Sequence, residues 1–264
     1  MAQTVSIDSA LCIGCATCVS DCPSKALAIK NGKAVYGGKC LECGHCVAIC
    51  PTLAISMPSF DMAEVQDYNP ISFDLSAENL LNSIKFRRSI RSFKPNKLYP
   101  DALQMMLQAG RYAPTAKNTQ ATRFIVVQDE LDAFKKLFWA ELPQIIAKLK
   151  ENDSPTAAYE RFLEMYNTAG RDGLFFNTPS IILIITENMW DGGLAAANIE
   201  LMAVANGAGI LHSGYLKRTI SMSEALMKWL GIEGKSIACC LLAGYPERKY
   251  QRTAPRRKAE FTIR

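Results

Sequence analysis

The stretch that decides the N-terminal architecture is Cys12-Ile13-Gly14-Cys15-Ala16-Thr17-Cys18-Val19-Ser20-Asp21-Cys22-Pro23. It returns 28 residues later as Cys40-Leu41-Glu42-Cys43-Gly44-His45-Cys46-Val47-Ala48-Ile49-Cys50-Pro51. Both copies keep the spacing C-x2-C-x2-C-x3-C-P. Each is followed by a short apolar piece, Leu27-Ala28-Ile29 and Leu53-Ala54-Ile55, with the turn signal Asn31-Gly32 between them. A run repeated in register marks a duplicated module, here residues 1–57. It holds eight of the ten cysteines; the other two are adjacent at Cys239 and Cys240.

In a secreted chain such a count suggests disulfides; in the cytosol it points to metal or redox chemistry. The first twenty residues show neither a basic n-region nor a long apolar stretch. The expectation is therefore a soluble, cytoplasmic protein without a signal peptide. The longest apolar runs, Ile181–Ile185 and Ile237–Ala243, fall far short of the roughly 18 residues that span a bilayer. With 264 residues, 49% hydrophobic and 21% charged, the chain has material for one or two packed domains and is not disordered.

Three thiolates at this spacing wrap one cubane iron–sulfur cluster on a tight loop, and the fourth points away. The prolines after Cys22 and Cys50 fix the turn. The alternative is two structural zinc sites of four thiolates each. Zinc modules more often pair two C-x2-C knuckles, whereas here three close cysteines and a C-P occur twice. His45 lies between Cys43 and Cys46, where it reads as a solvated loop residue able to hydrogen-bond. Residues 1–57 resemble the bacterial two-[4Fe–4S] ferredoxin family. The resemblance implies crossed ligation: Cys12, Cys15, Cys18 and Cys50 hold one cluster, and Cys40, Cys43, Cys46 and Cys22 hold the other. Each cluster moves one electron, so a tethered domain with a two-electron cofactor would match the pair.

Residues 58–75 lack a sustained period and read as a linker. From Ser76 to the C-terminus helix and strand patterns alternate. Leu80, Leu81 and Ile84 form a helical face after a Ser76 cap, and Pro100-Asp101 opens a second helix. Residues 130–150, 156–169, 194–207 and 221–230 read as helices, and 122–127, 180–186 and 236–242 as strands. The fold class expected is α+β, with a central mixed β-sheet covered by helices behind the two-cluster module.

Residues 85–97 and 248–258 hold twelve of the thirty basic residues, where even spreading gives about three. Neither stretch interleaves aromatics as single-strand binders do, so no nucleic-acid partner is expected. Arg87-Arg88-Ser89-Ile90-Arg91 suits a phosphate: forked guanidinium donors beside a hydroxyl. Pro114-Thr115-Ala116-Lys117-Asn118-Thr119-Gln120 is a polar turn before a strand, and its amides can read the edge of a heteroaromatic ring.

These segments, with the Ala-rich helix bearing Asn198, the Gly207-Ala208-Gly209-Ile210 exit and Gly244-Tyr245-Pro246 ahead of a basic tail, resemble the FMN-dependent nitroreductase family over about residues 76–260. The resemblance implies a homodimer with two FMN sites at its interface. Arg87, Arg88, Ser89 and Arg91 match the first FMN-contacting segment, and Arg256 and Lys258 the late phosphate-binding positions. Thr115, Ala116 and Asn118 match a loop that reaches the partner subunit's flavin. Ser213-Gly214-Tyr215-Leu216 matches a strand whose backbone faces the ring. Where the family often continues with Pro-Trp, Ala121-Thr122 stand here, and residues 130–172 match no fixed motif and are expected to form a substrate lid.

A ferredoxin module ahead of such a domain is an arrangement known among anaerobes. The implied function is electron passage from a low-potential donor, such as reduced ferredoxin, through two [4Fe–4S] clusters to FMN. The final acceptor is a small organic molecule: a nitroaromatic, a quinone or an activated alkene. The alternative is a non-catalytic carrier or redox sensor. The redox chemistry belongs to the cofactors, so no residue is named as catalytic. Cys239 and Cys240 sit in a strand pattern, point to opposite faces and read as structural. His212 reads as a satisfied buried histidine.

Overall fold

The structure, a computed structural model, describes residues 4–264. By its internal contacts the chain divides into two units, Met1–Asp74 with Lys117–Thr119, and Leu75–Ala116 with Gln120–Arg264. Among the described residues no helix is long and apolar enough to cross a membrane.

In the first unit, β1 (Ser6–Ile7) pairs antiparallel with β4 (Ile55–Ser56), which ties the ends of the module together. β2 (Leu27–Lys30) and β3 (Lys33–Tyr36) form a hairpin. Its two-residue turn has positive φ at both Asn31 (49°) and Gly32 (71°), the geometry that matches strand twist. Two short helices, α1 (Thr17–Asp21) and α2 (His45–Ala48), start within the cysteine runs, and α3 (Pro70–Phe73) follows later, capped by Asn69. The duplication extends to the backbone. Left-handed φ recurs at Gly14 and Glu42, at Ala16 and Gly44, and at Lys25 and Leu53, each pair 28 residues apart. The core gathers Val5, Leu27, Ala34, Ala54 and Ile55 with Cys12, Cys18 and Cys22.

The second unit opens with α4 (Ala77–Phe86), whose Ser76 hydroxyl accepts from the Asn79 N–H. α5 (Pro100–Arg111) starts on proline, whose missing N–H is no loss in a first turn. Then come β5 (Arg123–Val127), α6 (Leu131–Glu151), α7 (Ala157–Ala169), β6 (Ser180–Ile185), α8 (Met189–Ala205), β7 (Gly209–His212), α9 (Gly214–Met222), α10 (Glu224–Trp229) and β8 (Ile237–Gly244).

The sheet order is β5-β6-β8-β7, and all three pairings are antiparallel. The α+β class stands, but the sheet is not mixed in direction. Two helices intervene between β5 and β6 and two between β7 and β8, so the chain reverses at each step. A single helix joins β6 to β7, which keeps direction, but β8 lies between those two strands.

Every residue of β6 is buried. Ile181, Leu183 and Ile185 pack with Phe134, Phe138, Leu142 and Phe175 on one face. Ile182 and Ile184 pack with Met106, Ala195, Ala196 and Ile199 on the other. The helical segments at 194–207 and 221–230 shift accordingly: the first is α8, beginning at Met189, and the second is two helices, α9 and α10, meeting at Ser223.

α8 lies very close to β8 at Gly192, where an added Cβ would stand 2.2 Å from the Ala238 Cβ. Gly192→Ala should therefore push the helix off the sheet and destabilise the second unit by about 1–3 kcal/mol. The chain's three tryptophans, Trp139, Trp190 and Trp229, all lie in that unit, so thermal unfolding read by tryptophan fluorescence checks this.

Candidate functional site

The eight cysteines of the first unit form two groups. One cavity is lined by Cys12, Cys15, Cys18 and Cys50. A second is lined by Cys22, Cys40, Cys43 and Cys46. The structure thus brings together the quartets that crossed ligation requires: each run sends its fourth cysteine to the other cavity. Backbone geometry repeats as well. The Ala26 N–H donates to Cys22 Sγ and the Ala54 N–H to Cys50 Sγ, both at 3.3 Å. Ala34 N–H and Thr17 Oγ1 donate to Cys12 Sγ and Cys15 Sγ, at 3.4 and 3.3 Å.

The electrostatics of these sulfurs follow the same grouping. Burial, then the charges of Cys15, Cys50 and Cys12, push the Cys18 thiol up. Burial, with Cys40 and Cys43 adding to it, pushes Cys46 up to about 11. Burial also opposes ionisation of Cys22 and Cys50, but hydrogen bonds from the following loop outweigh it and lower both. Among the described residues no three Cys, His, Asp or Glu side chains converge as ligands of a single ion. Four sulfurs spread around a cavity suit a cubane, in which each binds its own iron, better than one zinc. His45 Nδ1 lies 3.0 Å from Asp21 Oδ2, so the loop histidine meets a carboxylate rather than a sulfur.

In the second unit the Arg87–Arg91 segment runs along the outer edge of β7. The Ile90 N–H donates to the Ile210 carbonyl, and the Lys94 N–H to that of Tyr245. Gly209 permits this approach: an added Cβ would stand 2.3 Å from Ile90 Cγ1. Ile90 is buried, Arg88 and Ser89 are half-buried and Arg91 is exposed. Arg87 is already engaged, its Nη1 donating to Glu200 Oε1 at 3.0 Å. Arg256 and Lys258 are exposed in the irregular C-terminal segment, where Arg256 donates to the Pro255 carbonyl.

Ser213-Gly214-Tyr215-Leu216 is not a strand. Ser213 caps α9, its hydroxyl accepting from the Leu216 N–H at 3.3 Å, and the strand ends at His212. Leu216 is fully buried in the core, while Tyr215 meets the rings of Tyr159 and Phe162 edge-on. Gly214 has nothing within 4 Å of the place of a Cβ, so the backbone there is open.

The 114–120 turn is divided. Thr115 Oγ1 accepts from the Gln120 N–H at 3.0 Å, and the Ala116 N–H donates to Asp191 Oδ1 at 3.1 Å. Lys117–Thr119 group with the first unit, where Asn118 Nδ2 donates to the carbonyls of Leu41 and Glu42. Beside α5 and β5 a groove of about 590 Å³ is lined by Leu103, Leu107, Gly110, Thr115, Gln120 and Phe124. Thr122, also on its wall, has a buried hydroxyl with no hydrogen-bond partner among the described residues. Asn198 joins α8 to α5 through the Ala109 carbonyl.

Sequence reasoning passed over Glu200. It stands on the α8 stripe of Ala196, Ile199 and Ala203, and an acid on an apolar stripe was the available signal. Glu200 Oε2 lies 3.6 Å from His212 Nε2. Burial opposes its ionisation, but the His212 hydrogen bond and the Arg87 charge outweigh it and lower its pKa. Hydrogen bonds with Cys239 and then Glu200 raise His212 to about 9, against the pull of burial.

The fold and the two cysteine cavities define a duplicated cysteine module of ferredoxin type joined to an α+β domain. The comparisons make this specific: a 4Fe-4S dicluster domain matches residues 4–51 and the nitroreductase family matches residues 84–245. The chain belongs to the nitroreductase family and carries an N-terminal dicluster ferredoxin domain. It is 27% identical over 180 residues to YfhC of Bacillus subtilis (strain 168), which is provisionally named an NAD(P)H nitroreductase. That match covers 64% of this chain and 84% of YfhC. A nitroreductase with bound FMN from Desulfitobacterium hafniense DCB-2 aligns with TM-score 0.56 and 25% identity, covering 70% of this chain and 98% of that one. A second, from Bacteroides fragilis NCTC 9343, shares the fold with TM-score 0.56 at 22% identity, over 70% of this chain and 97% of its own.

The His212 shift has a definite sign for stability. A group whose pKa rises from 6.5 to about 9 on folding stabilises the fold fully below 6.5 and loses that contribution as pH rises through 9. Wild type should therefore exceed His212→Gln in melting temperature at pH 6, and the gap should close by about pH 10. Tryptophan-detected melts of both proteins across that range check it.

Proposed function

We propose that this protein is an FMN-dependent oxidoreductase that passes electrons from a low-potential donor, such as reduced ferredoxin, through two [4Fe–4S] clusters to FMN. The electrons go on to a small organic acceptor, a nitroaromatic, quinone or activated alkene. The observation that carries this reading is the presence, in one chain, of two four-cysteine cavities and a nitroreductase-family domain. The clusters supply one-electron transfer, and FMN joins it to two-electron chemistry.

The chain's residues take the following roles. Cys12, Cys15, Cys18 and Cys50 hold one cluster, and Cys22, Cys40, Cys43 and Cys46 the other. Arg88, Ser89 and Arg91, with Arg256 and Lys258, bind the FMN phosphate, and Arg87 positions that segment through Glu200. The open backbone at Gly214 admits the flat ring. Thr115, Ala116 and Asn118 serve the flavin of a second copy. The bound FMN in the Desulfitobacterium hafniense relative supports the cofactor.

Two features support a homodimer. The Arg87–Arg91 segment lies by β7 and the 115–120 turn by β5, at opposite edges of a four-stranded sheet. Three strand spacings separate those edges, about 14 Å, so a site using both is more readily completed by two copies. α4 also leaves Leu80, Leu81 and Ile84 exposed, an apolar stripe suited to cover by a partner.

Anaerobically purified protein should contain about eight irons and eight labile sulfides per chain. Cys22→Ala should lower the iron to about half, with loss of the cluster held by Cys40, Cys43 and Cys46. Iron analysis with electron paramagnetic resonance reads both; zinc without labile sulfide would overturn the ferredoxin reading.

The electron route predicts a kinetic preference. In anaerobic stopped-flow, reduced ferredoxin should bleach the flavin of the full-length protein about tenfold or more faster than NADPH or NADH, since the clusters accept single electrons and a nicotinamide gives a hydride. Equal or faster bleaching by a nicotinamide would make the clusters bystanders in flavin reduction.

A further inference from the structure

Cys239 and His212 are diagonal neighbours on one face of the sheet. His212 pairs with Leu241 in the β7–β8 register, and Cys239 lies two residues before Leu241 on the same face, beneath α8. Cys240 points to the other face, into the opposite core. The two adjacent cysteines are therefore chemically different. Cys240 is only 2% exposed, and burial pushes its thiol far up. Cys239 is half-buried, and its neighbour His212 has a side chain 46% exposed, so solvent reaches the pair.

Three elements converge on this pair. From α8, Glu200 Oε2 lies 3.6 Å from His212 Nε2, and the Gly192 carbonyl lies 3.8 Å from Cys239 Sγ. From the end of α4, Arg87 holds the other Glu200 oxygen. From β8, Cys239 stands diagonal to His212 across the strand pair, with its thiol donating to the Gly192 carbonyl. Sulfur, imidazole and carboxylate thus stand in the order that activates a nucleophilic cysteine: a base beside the sulfur, oriented by a third group. The charge on Glu200 and the Cys239 contact keep the imidazole protonated well above its ordinary range.

We propose that Cys239, paired with His212 and Glu200, is a covalent modification site for soft carbon electrophiles of the α,β-unsaturated carbonyl class. The sulfur forms a C–S bond to the β-carbon while the C=C π pair moves onto the carbonyl oxygen. The His212 imidazolium protonates that oxygen, and the imidazole takes up the proton that the sulfur gave up. The enol then converts to the ketone. In sum, S–H adds across C=C, with no oxidant, reductant or leaving group. An adduct at this position stands between β8 and α8, where it disrupts the Arg87–Glu200–His212 chain. None of this requires the flavin or the clusters, so it stands apart from the electron-transfer reading.

The test uses full-length protein purified without oxygen and N-ethylmaleimide as the activated alkene. Labelling is followed over time at pH 7 and located by fragmentation of the tryptic peptide Ser236–Arg248, which carries both cysteines. The expected result is adduct at Cys239 and none at Cys240, forming about tenfold or more faster than in His212→Gln. Glu200→Gln, which keeps the shape of the side chain, should also slow labelling. The advantage of wild type over His212→Gln should shrink as pH rises through about 9, where the imidazolium is lost. Equal rates and equal pH profiles in wild type and both variants, or label on both cysteines alike, would overturn the proposal. Folding of each variant is checked by its tryptophan-detected melt, and faster labelling in a variant that melts early counts against the proposal.

Discussion

Because every residue of β6 is buried, both faces of the four-stranded sheet must be covered by helices, and α8 has to lie directly on the sheet. The strand's backbone polar groups are satisfied only by β5 and β8 on its two sides. The centre is thus closed to chemistry. What remains accessible is the outer edge of β7, the outer edge of β5 and the ends of the strands. The basic segment, the α9 start and the groove beside α5 all stand in those places. The close approach at Gly192 is part of the same condition, since only a residue without a side chain lets α8 reach Ala238.

In the first unit the governing term is charge. Burial opposes ionisation of the sulfurs around each cavity, and their mutual repulsion adds to it, as the raised Cys18 and Cys46 thiols show. Bound iron would offset that cost, and N–H donors from the loops after Cys22 and Cys50 offset it in part. Holding such sulfurs together therefore couples the fold of the module to what it binds. The paired β1 and β4 at its ends keep the fourth cysteine of each run within reach of the other cavity.

Much of this was legible in the sequence, and the reasons are local. Ser76 and Pro100 signal helix starts by the hydrogen bonds they make or omit, and Asn31-Gly32 signals its turn by the φ values it allows. The duplicated spacing marked the module, and the ferredoxin resemblance supplied the crossed grouping of its cysteines. What was not legible depends on tertiary context. The family resemblance places Ser213–Leu216 on a strand, but the Ser213 hydroxyl accepts from a helix N–H and the chain turns into α9. Sheet direction depends on how many helices separate successive strands. The Arg87–Glu200–His212–Cys239 chain joins residues from four elements far apart in sequence, and no spacing rule reaches across them. The separation of Asn118 from Thr115 and Ala116 was equally invisible in a contiguous motif.

The left-handed positions of the duplicated module also separate its two halves. Each half places one glycine and one side chain at its first two such positions, Gly14 with Ala16 and Glu42 with Gly44. A Cβ at position 14 would stand 2.0 Å from the Gly32 carbonyl oxygen, whereas position 44 is open. Copying the first half over the second would place glycine at 42 and alanine at 44, a conformation that Ala16 already adopts. Copying the second over the first would drive glutamate against the hairpin backbone. The two halves are therefore not interchangeable at this place: close approach demands glycine at position 14, while its counterpart, position 42, carries glutamate in the same left-handed region.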